Sequence, residues 1–202
     1  MDEIHLWRIS LPKAPCRQDW LNGQELERMR SFVDASAGKA HCVARTALRL
    51  LLGGYTEQQP EQIRLRILTH GKPALATSTK PLFFNLSHSG SWALMGFTRF
   101  ADVGVDLELQ RDVDDRERIA RRVMGTEDVQ ILSADGFSQS LFTRMWTRFE
   151  ACQKCLGLGV FGRKASEKEL GVATFSAGGL LTGSVAWNAP DIEPTMRYFT
   201  LT

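Results

Sequence analysis

Residues 82–109 read LFFNLSHSGSWALMGFTRFADVGVDLEL. The runs LFFNLS and WALMGFT are rich in strand formers and bracket the turn HSGS, which predicts a hairpin. After Phe100 the pattern begins again, with a strand over Val103 to Leu109. Residues i and i+2 of a strand share a face, so Val103, Val105, Leu107 and Leu109 form an apolar side. Asp106 and Glu108 then project side by side from the other, where Gly104 leaves room for a ligand.

Toward the N-terminus the reading gives a strand over Ile4 to Ser10 and a helix near Gln24 to Phe32. A second helix, Lys39 to Leu52, places Cys42, Ala44, Leu48, Leu51 and Leu52 on one stripe and is ended by Gly53-Gly54. IRLRILTHGKP alternates apolar and basic residues, predicting a half-buried strand that runs into a loop. Toward the C-terminus come helices at Arg116 to Met124 and Glu127 to Leu132, the latter with Thr126 as N-cap. A long helix, Phe137 to Leu156, has Met145, Phe149, Cys152 and Leu156 as its buried stripe, with Glu150 and Lys154 beside it and a helix-breaking GLG after it. The runs LGVATFS, GSVAW and MRYFTLT read as short strands. Each half thus reads as strand, helices and more strands, which makes the class α+β.

The chain has 202 residues and a formal charge of +2, with no basic block of the kind bulk nucleic-acid binding needs. No apolar run approaches the roughly 20 residues that span a bilayer, and MDEIHLWRISLP lacks a basic leader, so a cytoplasmic protein is expected. Cys16, Cys42, Cys152 and Cys155 form no regular framework and are read as reduced thiols. The single C-x-x-C of Cys152 and Cys155 lacks the further ligands of a closed zinc site.

Glu150 and Lys154 are helical neighbours at i and i+4, so with Asp106 and Glu108 they offer three carboxylates and an ammonium, equipment for Mg²⁺ holding a phosphate ester. Ser87 and His88, read as lying at the β-turn, would suit phosphate oxygens, as would Lys72 before Pro73. Each has a plainer reading: a polar edge-strand face, a surface ion pair, a turn serine, a solvated lysine. The order of the set favours chemistry.

The runs GKP, FNLSHSG, VGVDLE and WTRFEACQKCLGLG, in that order from Lys72 to Gly159, resemble the signature of the 4′-phosphopantetheinyl transferases of the surfactin-synthetase-activating type. The opening strand and QELERMRSF are also similar to that family. The resemblance implies two similar subdomains with pseudo-twofold symmetry, residues 1–100 and 101–202. Each would be a small, mainly antiparallel sheet packed on helices, with the active site in the cleft between them. It implies a monomer that moves the phosphopantetheine arm of coenzyme A onto a serine of an apo acyl or peptidyl carrier protein and releases 3′,5′-ADP. Asp106, Glu108 and Glu150 would hold Mg²⁺ and the diphosphate, and Lys72, Ser87 and His88 the nucleotide end. Lys154 would neutralise the leaving phosphate, and Glu150, or a water on the ion, would take the serine proton. The carrier would be an acidic helical domain that docks transiently.

Phe149 stands where the family has lysine before the helix glutamate, which allows a less active enzyme. For the 3′-phosphate, Lys39, His41 and Arg45 all lie close; Lys39 with Arg28 is the first choice. The tail is shorter than the family's usual last strands, so a trimmed C-terminal half is expected. The rival readings are another Mg²⁺-dependent phosphodiesterase acting on coenzyme A or a nucleotide, and an impaired homologue that binds coenzyme A or carrier without transfer.

Overall fold

The computed structural model describes residues 2–77, 80–158 and 169–202. Strand β1 (Glu3–Ser10) is followed by helix α1 (Gly23–Arg30) and helix α2 (Ala35–Thr56). A short ribbon of β2 (Leu65–Ile67) and β3 (Pro73–Leu75) leads to the hairpin β4 (Phe83–Ser89) and β5 (Trp92–Thr98). Strand β6 (Val103–Leu109) opens the second part, which continues with α3 (Arg116–Val123), α4 (Thr126–Ala134) and α5 (Gln139–Cys155). Strands β7 (Gly171–Gly178), β8 (Leu181–Trp187) and β9 (Thr195–Leu201) complete it. The fold is α+β, with small, mainly antiparallel sheets packed on helices.

One sheet has the order β4-β5-β1-β9 and the other β6-β8-β7. Alternation along the strands sets the layers. From the first sheet Ile9, Phe84, Met95 and Phe97 pack on Val43, Leu48 and Leu52 of α2. From its other side Ile4, Leu6 and Leu94 meet Val103, Val105, Leu107 and Val185 of the second sheet. The outer face of that sheet lies on α5, where Ala151, Cys152 and Cys155 pack against Ala186. Helix, sheet, sheet and helix are therefore stacked, with β9 at the edge of the first sheet left largely exposed. The exception to antiparallel pairing is β9, which runs parallel to β1 from Glu3↔Thr195 to Ile9↔Leu201.

Several local expectations change. Gly53-Gly54 does not end α2, which runs on to Thr56 and closes at Glu57, left-handed at φ 58°. Gly53 instead allows the backbone to fold back, since a Cβ there would fall 2.7 Å from the Gln58 carbonyl oxygen. Asp34 caps the start of α2 by accepting from Ser36 N–H at 2.8 Å. Thr126 is the first residue of α4, and its N-cap is Gly125. The strand in IRLRI shrinks to three residues with Ile67 exposed, because only the small β3 covers it. Ser87 and His88 lie within β4, not at the turn, which falls at Gly90 and Ser91.

In α5 the buried line against the sheet is Thr143, Thr147, Ala151 and Cys155. Met145 and Phe149 are half-buried among Phe142, Trp146 and residues of α3 and α4, and Leu156 is exposed. The helix has two neighbours, so its buried arc is wider than one stripe, and small and hydroxyl residues line the sheet side. Gly159, the last residue of the GLG run, lies outside the described residues.

Cys16 and Cys42 form a disulfide, against the reading of four reduced thiols. A separation of 26 residues carries no sequence signal; the pairing follows from the segment before α1 lying on α2, where Arg17 N–H also donates to Thr46 Oγ1. Cys152 and Cys155 are buried and take part in no disulfide, and burial pushes the Cys155 thiol up to about 12, so it stays protonated and unreactive. Among the described residues no helix is long and apolar enough to cross a membrane.

Candidate functional site

Strands β4 and β6 are the facing edges of the two sheets, and side chains join them where a backbone ladder is absent. Alternation aims Asn85, Ser87 and Ser89 at β6. Asn85 Oδ1 accepts the Val105 N–H at 3.0 Å, and Ser87 Oγ donates to Asp106 Oδ1 at 2.8 Å. Ser89 Oγ accepts the Leu109 N–H at 3.0 Å and donates to Glu108 Oε2, also at 3.0 Å.

The third element is α5, and glycine brings it close. A Cβ at Gly104 would collide with the Ala151 carbonyl oxygen and the Cys155 backbone nitrogen, so β6 lies directly on the helix. The last turns of α5 thereby reach the acids. Lys154 Nζ donates to Asp106 Oδ1 at 2.6 Å and to Ser87 Oγ at 3.1 Å, and stands 3.6 Å from Glu150 Oε2. Residues far apart in sequence thus converge on one ammonium.

Burial raises the Glu108 carboxyl above its usual range, helped by the Asp106 charge, while Ser89, Arg111 and Lys154 pull it down. Glu150 is likewise raised by burial, then lowered by Lys154 and raised by Asp106 and Glu108. Glu150 thus feels both other acids and Glu108 feels Asp106. Asp106 is 3% exposed, and its Oδ2 is buried without a hydrogen-bond partner. Among the described residues no three His, Cys, Asp or Glu side chains are gathered into an ion-holding group; Lys154 stands between Asp106 and Glu150 instead. The donor set is nonetheless that of a hard divalent ion: oxygens only, mutually repelling, one of them buried and unpartnered.

The other predicted residues divide. Lys72 is 9% exposed at its side chain and donates to the Cys155 carbonyl oxygen at 2.8 Å, with Asp102 at 3.3 Å, so it ties the β2–β3 region to the end of α5. His88 is exposed on the side of β4 away from Ser87, and its charge reaches His41. Lys39 is exposed. Arg28 does not join Lys39; it lines a cavity of about 170 Å³ with His41, Arg45 and Glu25. His41 Nε2 is buried there without a partner, and burial and the Arg45 charge hold the imidazole below its usual range. Arg45 is lowered by its own burial and makes no hydrogen bond among the described residues. This is a basic pocket with free donors.

Three acids and a lysine thus lie along the seam between the two sheets, and a separate pocket is lined by Arg28, His41 and Arg45. Comparison with known proteins narrows the class. Residues 6–98 match the description "4′-phosphopantetheinyl transferase, N-terminal" and residues 102–178 match "4′-phosphopantetheinyl transferase superfamily". The chain is 33% identical over 201 residues to the 4′-phosphopantetheinyl transferase HetI of Nostoc sp., covering 96% of this chain and 84% of that protein. It is 34% identical over 111 residues to the 4′-phosphopantetheinyl transferase AcpT of Salmonella typhi, covering 54% of this chain and 56% of AcpT. With the human L-aminoadipate-semialdehyde dehydrogenase-phosphopantetheinyl transferase the identity is 27% over 164 residues, 72% of this chain and 53% of that one. The chain belongs to the 4′-phosphopantetheinyl transferase superfamily.

Asn85 and Ser89 escaped the sequence reading. Their signal is the period of two through Ser87, but it acquires meaning only once β4 is known to lie beside β6.

Proposed function

We propose that this enzyme transfers the 4′-phosphopantetheine arm of coenzyme A to a serine of an apo acyl or peptidyl carrier protein, in the manner of the surfactin-synthetase-activating type. The carrying observation is the convergence of Asp106, Glu150, Lys154 and Ser87 on the seam between the sheets. Asp106, Glu108 and Glu150 would hold Mg²⁺, Lys154 giving up its place on Asp106. The ion, when bound, supplies positive charge to the diphosphate of coenzyme A.

The serine oxygen bonds to the phosphorus that carries the pantetheine arm, and the bond from that phosphorus to the bridging oxygen breaks. The electron pair leaves with 3′,5′-ADP. Glu150, raised by its burial, takes the serine proton, and Lys154 neutralises charge growing on the leaving phosphate. Arg28, His41 and Arg45 receive the 3′-phosphate in their pocket. The work is mainly positioning and charge stabilisation, which this equipment suits.

The test is to incubate the protein with Mg²⁺, coenzyme A and an apo carrier, and to weigh the carrier by mass spectrometry. A carrier heavier by one phosphopantetheine is expected. Hydrolysis of coenzyme A with an unmodified carrier would instead favour a phosphodiesterase, and binding without product an impaired homologue. Asp106→Asn and Glu150→Gln are each expected to lower the rate by about 100-fold or more; full activity in either would refute the assignment of these acids.

A further inference from the structure

Ser89 has no part in the reaction described above, yet its hydroxyl holds one of the three carboxylates. A serine hydroxyl has a single proton to give. The Leu109 N–H already donates to Ser89 Oγ at 3.0 Å, so the proton is directed at Glu108 Oε2, 3.0 Å away. Both ends of the hydroxyl are thus committed to β6. Glu108 is a flexible, half-buried side chain, and exposed Arg111, whose charge already reaches it, offers a competing partner. One fixed hydrogen bond decides between them.

We propose that Ser89 is a positioning residue for Glu108, pinning Oε2 at the seam within reach of the Asp106 charge; the inference rests on the metal reading given above. It is the last of three rungs that β4 extends to β6: Asn85 holds the strand backbone, Ser87 holds Asp106 and Ser89 holds Glu108. Because the first two rungs remain without it, removing the Ser89 hydroxyl loosens one carboxylate and leaves the seam closed. Groups that orient metal ligands through hydrogen bonds typically govern affinity by about 10–100-fold.

The probe is Mn²⁺, titrated into the full chain with saturating coenzyme A and no carrier, free ion being followed by electron paramagnetic resonance. Ser89→Ala is expected to weaken Mn²⁺ binding by about tenfold while leaving metal-free coenzyme A affinity and the thermal midpoint near wild type. Ser89→Thr, which keeps the hydroxyl, should stay within about twofold. Unchanged Mn²⁺ affinity in Ser89→Ala, or an equal loss in Ser89→Thr, overturns the positioning role while the metal site stands. Failure of the wild-type protein to bind Mn²⁺ at all removes the metal reading, and this inference with it.

Discussion

Arg45 carries its guanidinium into a half-buried pocket without a hydrogen bond among the described residues, beside the unpartnered Nε2 of His41. Residues 41 and 45 share one helical face, whereas Lys39 precedes His41 by two positions and points about 200° away. Arg45→Ala is therefore expected to weaken 3′,5′-ADP binding by about tenfold or more, and Lys39→Ala to change it by less than twofold, in calorimetric titrations. The pH dependence has a definite sign. Burial, Arg45 and Arg28 disfavour the protonated form of His41 in the free protein, and an arriving phosphate favours it. Binding then takes up a proton, so affinity rises as pH falls from 8 toward about 6, where the phosphate begins to lose its own second charge. His41→Gln should flatten that slope. That Asp106 and Glu108 share a strand face and Glu150 and Lys154 a helix face was legible in the sequence, because spacings of two and four name a face. The placing of Arg45 in the Arg28–His41 pocket, with Lys39 exposed, was not, since it depends on how α1 lies across α2.

Strand β6 meets β4 at one edge, the first sheet on one face and α5 on the other. Its glycine is the tightest of these contacts, because any side chain at 104 meets helix backbone that cannot rotate away. Gly104→Ala is expected to cost about 3 kcal/mol or more in denaturant unfolding and to separate Asp106 from Lys154, abolishing transfer even in the folded fraction. An unaltered unfolding midpoint would show that strand and helix are looser than described. At this scale the sequence was legible in element type and order, except for β3, which was read as loop. What it hid was the rotation of α5: of the Met145, Phe149, Cys152, Leu156 line Cys152 is buried, Met145 and Phe149 are half-buried and Leu156 faces solvent, while Thr143 and Thr147 are buried instead. Thr147 can be buried because its hydroxyl lies 2.8 Å from Ser184 Oγ. Phe149, where the family has lysine, sits with Trp146 at 6.0 Å between ring centroids. It packs α5 against α3 and α4.

Across the whole molecule, β9 pairs with β1 and puts Arg197 on Glu3 at 3.2 Å, so the first sheet contains strands from both ends of the described chain. No local pattern announces such a pairing, and MRYFTLT was legible as a strand but not as a neighbour of residues 3–9. Trp7 stacks on Phe199 at 4.5 Å, which anchors the arrangement. A chain stopped after Pro194 should expose the β1 edge and the Trp7 ring, and light scattering should show it associating more than the full chain. A truncated chain that stays dispersed, with an unchanged thermal midpoint, would make β9 dispensable.

That pairing also fixes an order of events during synthesis. A ribosome delivers β1 well before β9, so until β9 is made one flank of β1 is unoccupied while the hairpin β4–β5 is already available to its other side. The hairpin half can gather early, but it cannot be sealed until residue 201 has emerged. Completion of the first sheet is therefore gated by β9, and refolding from denaturant inherits the same delay through the cost of closing so long a loop.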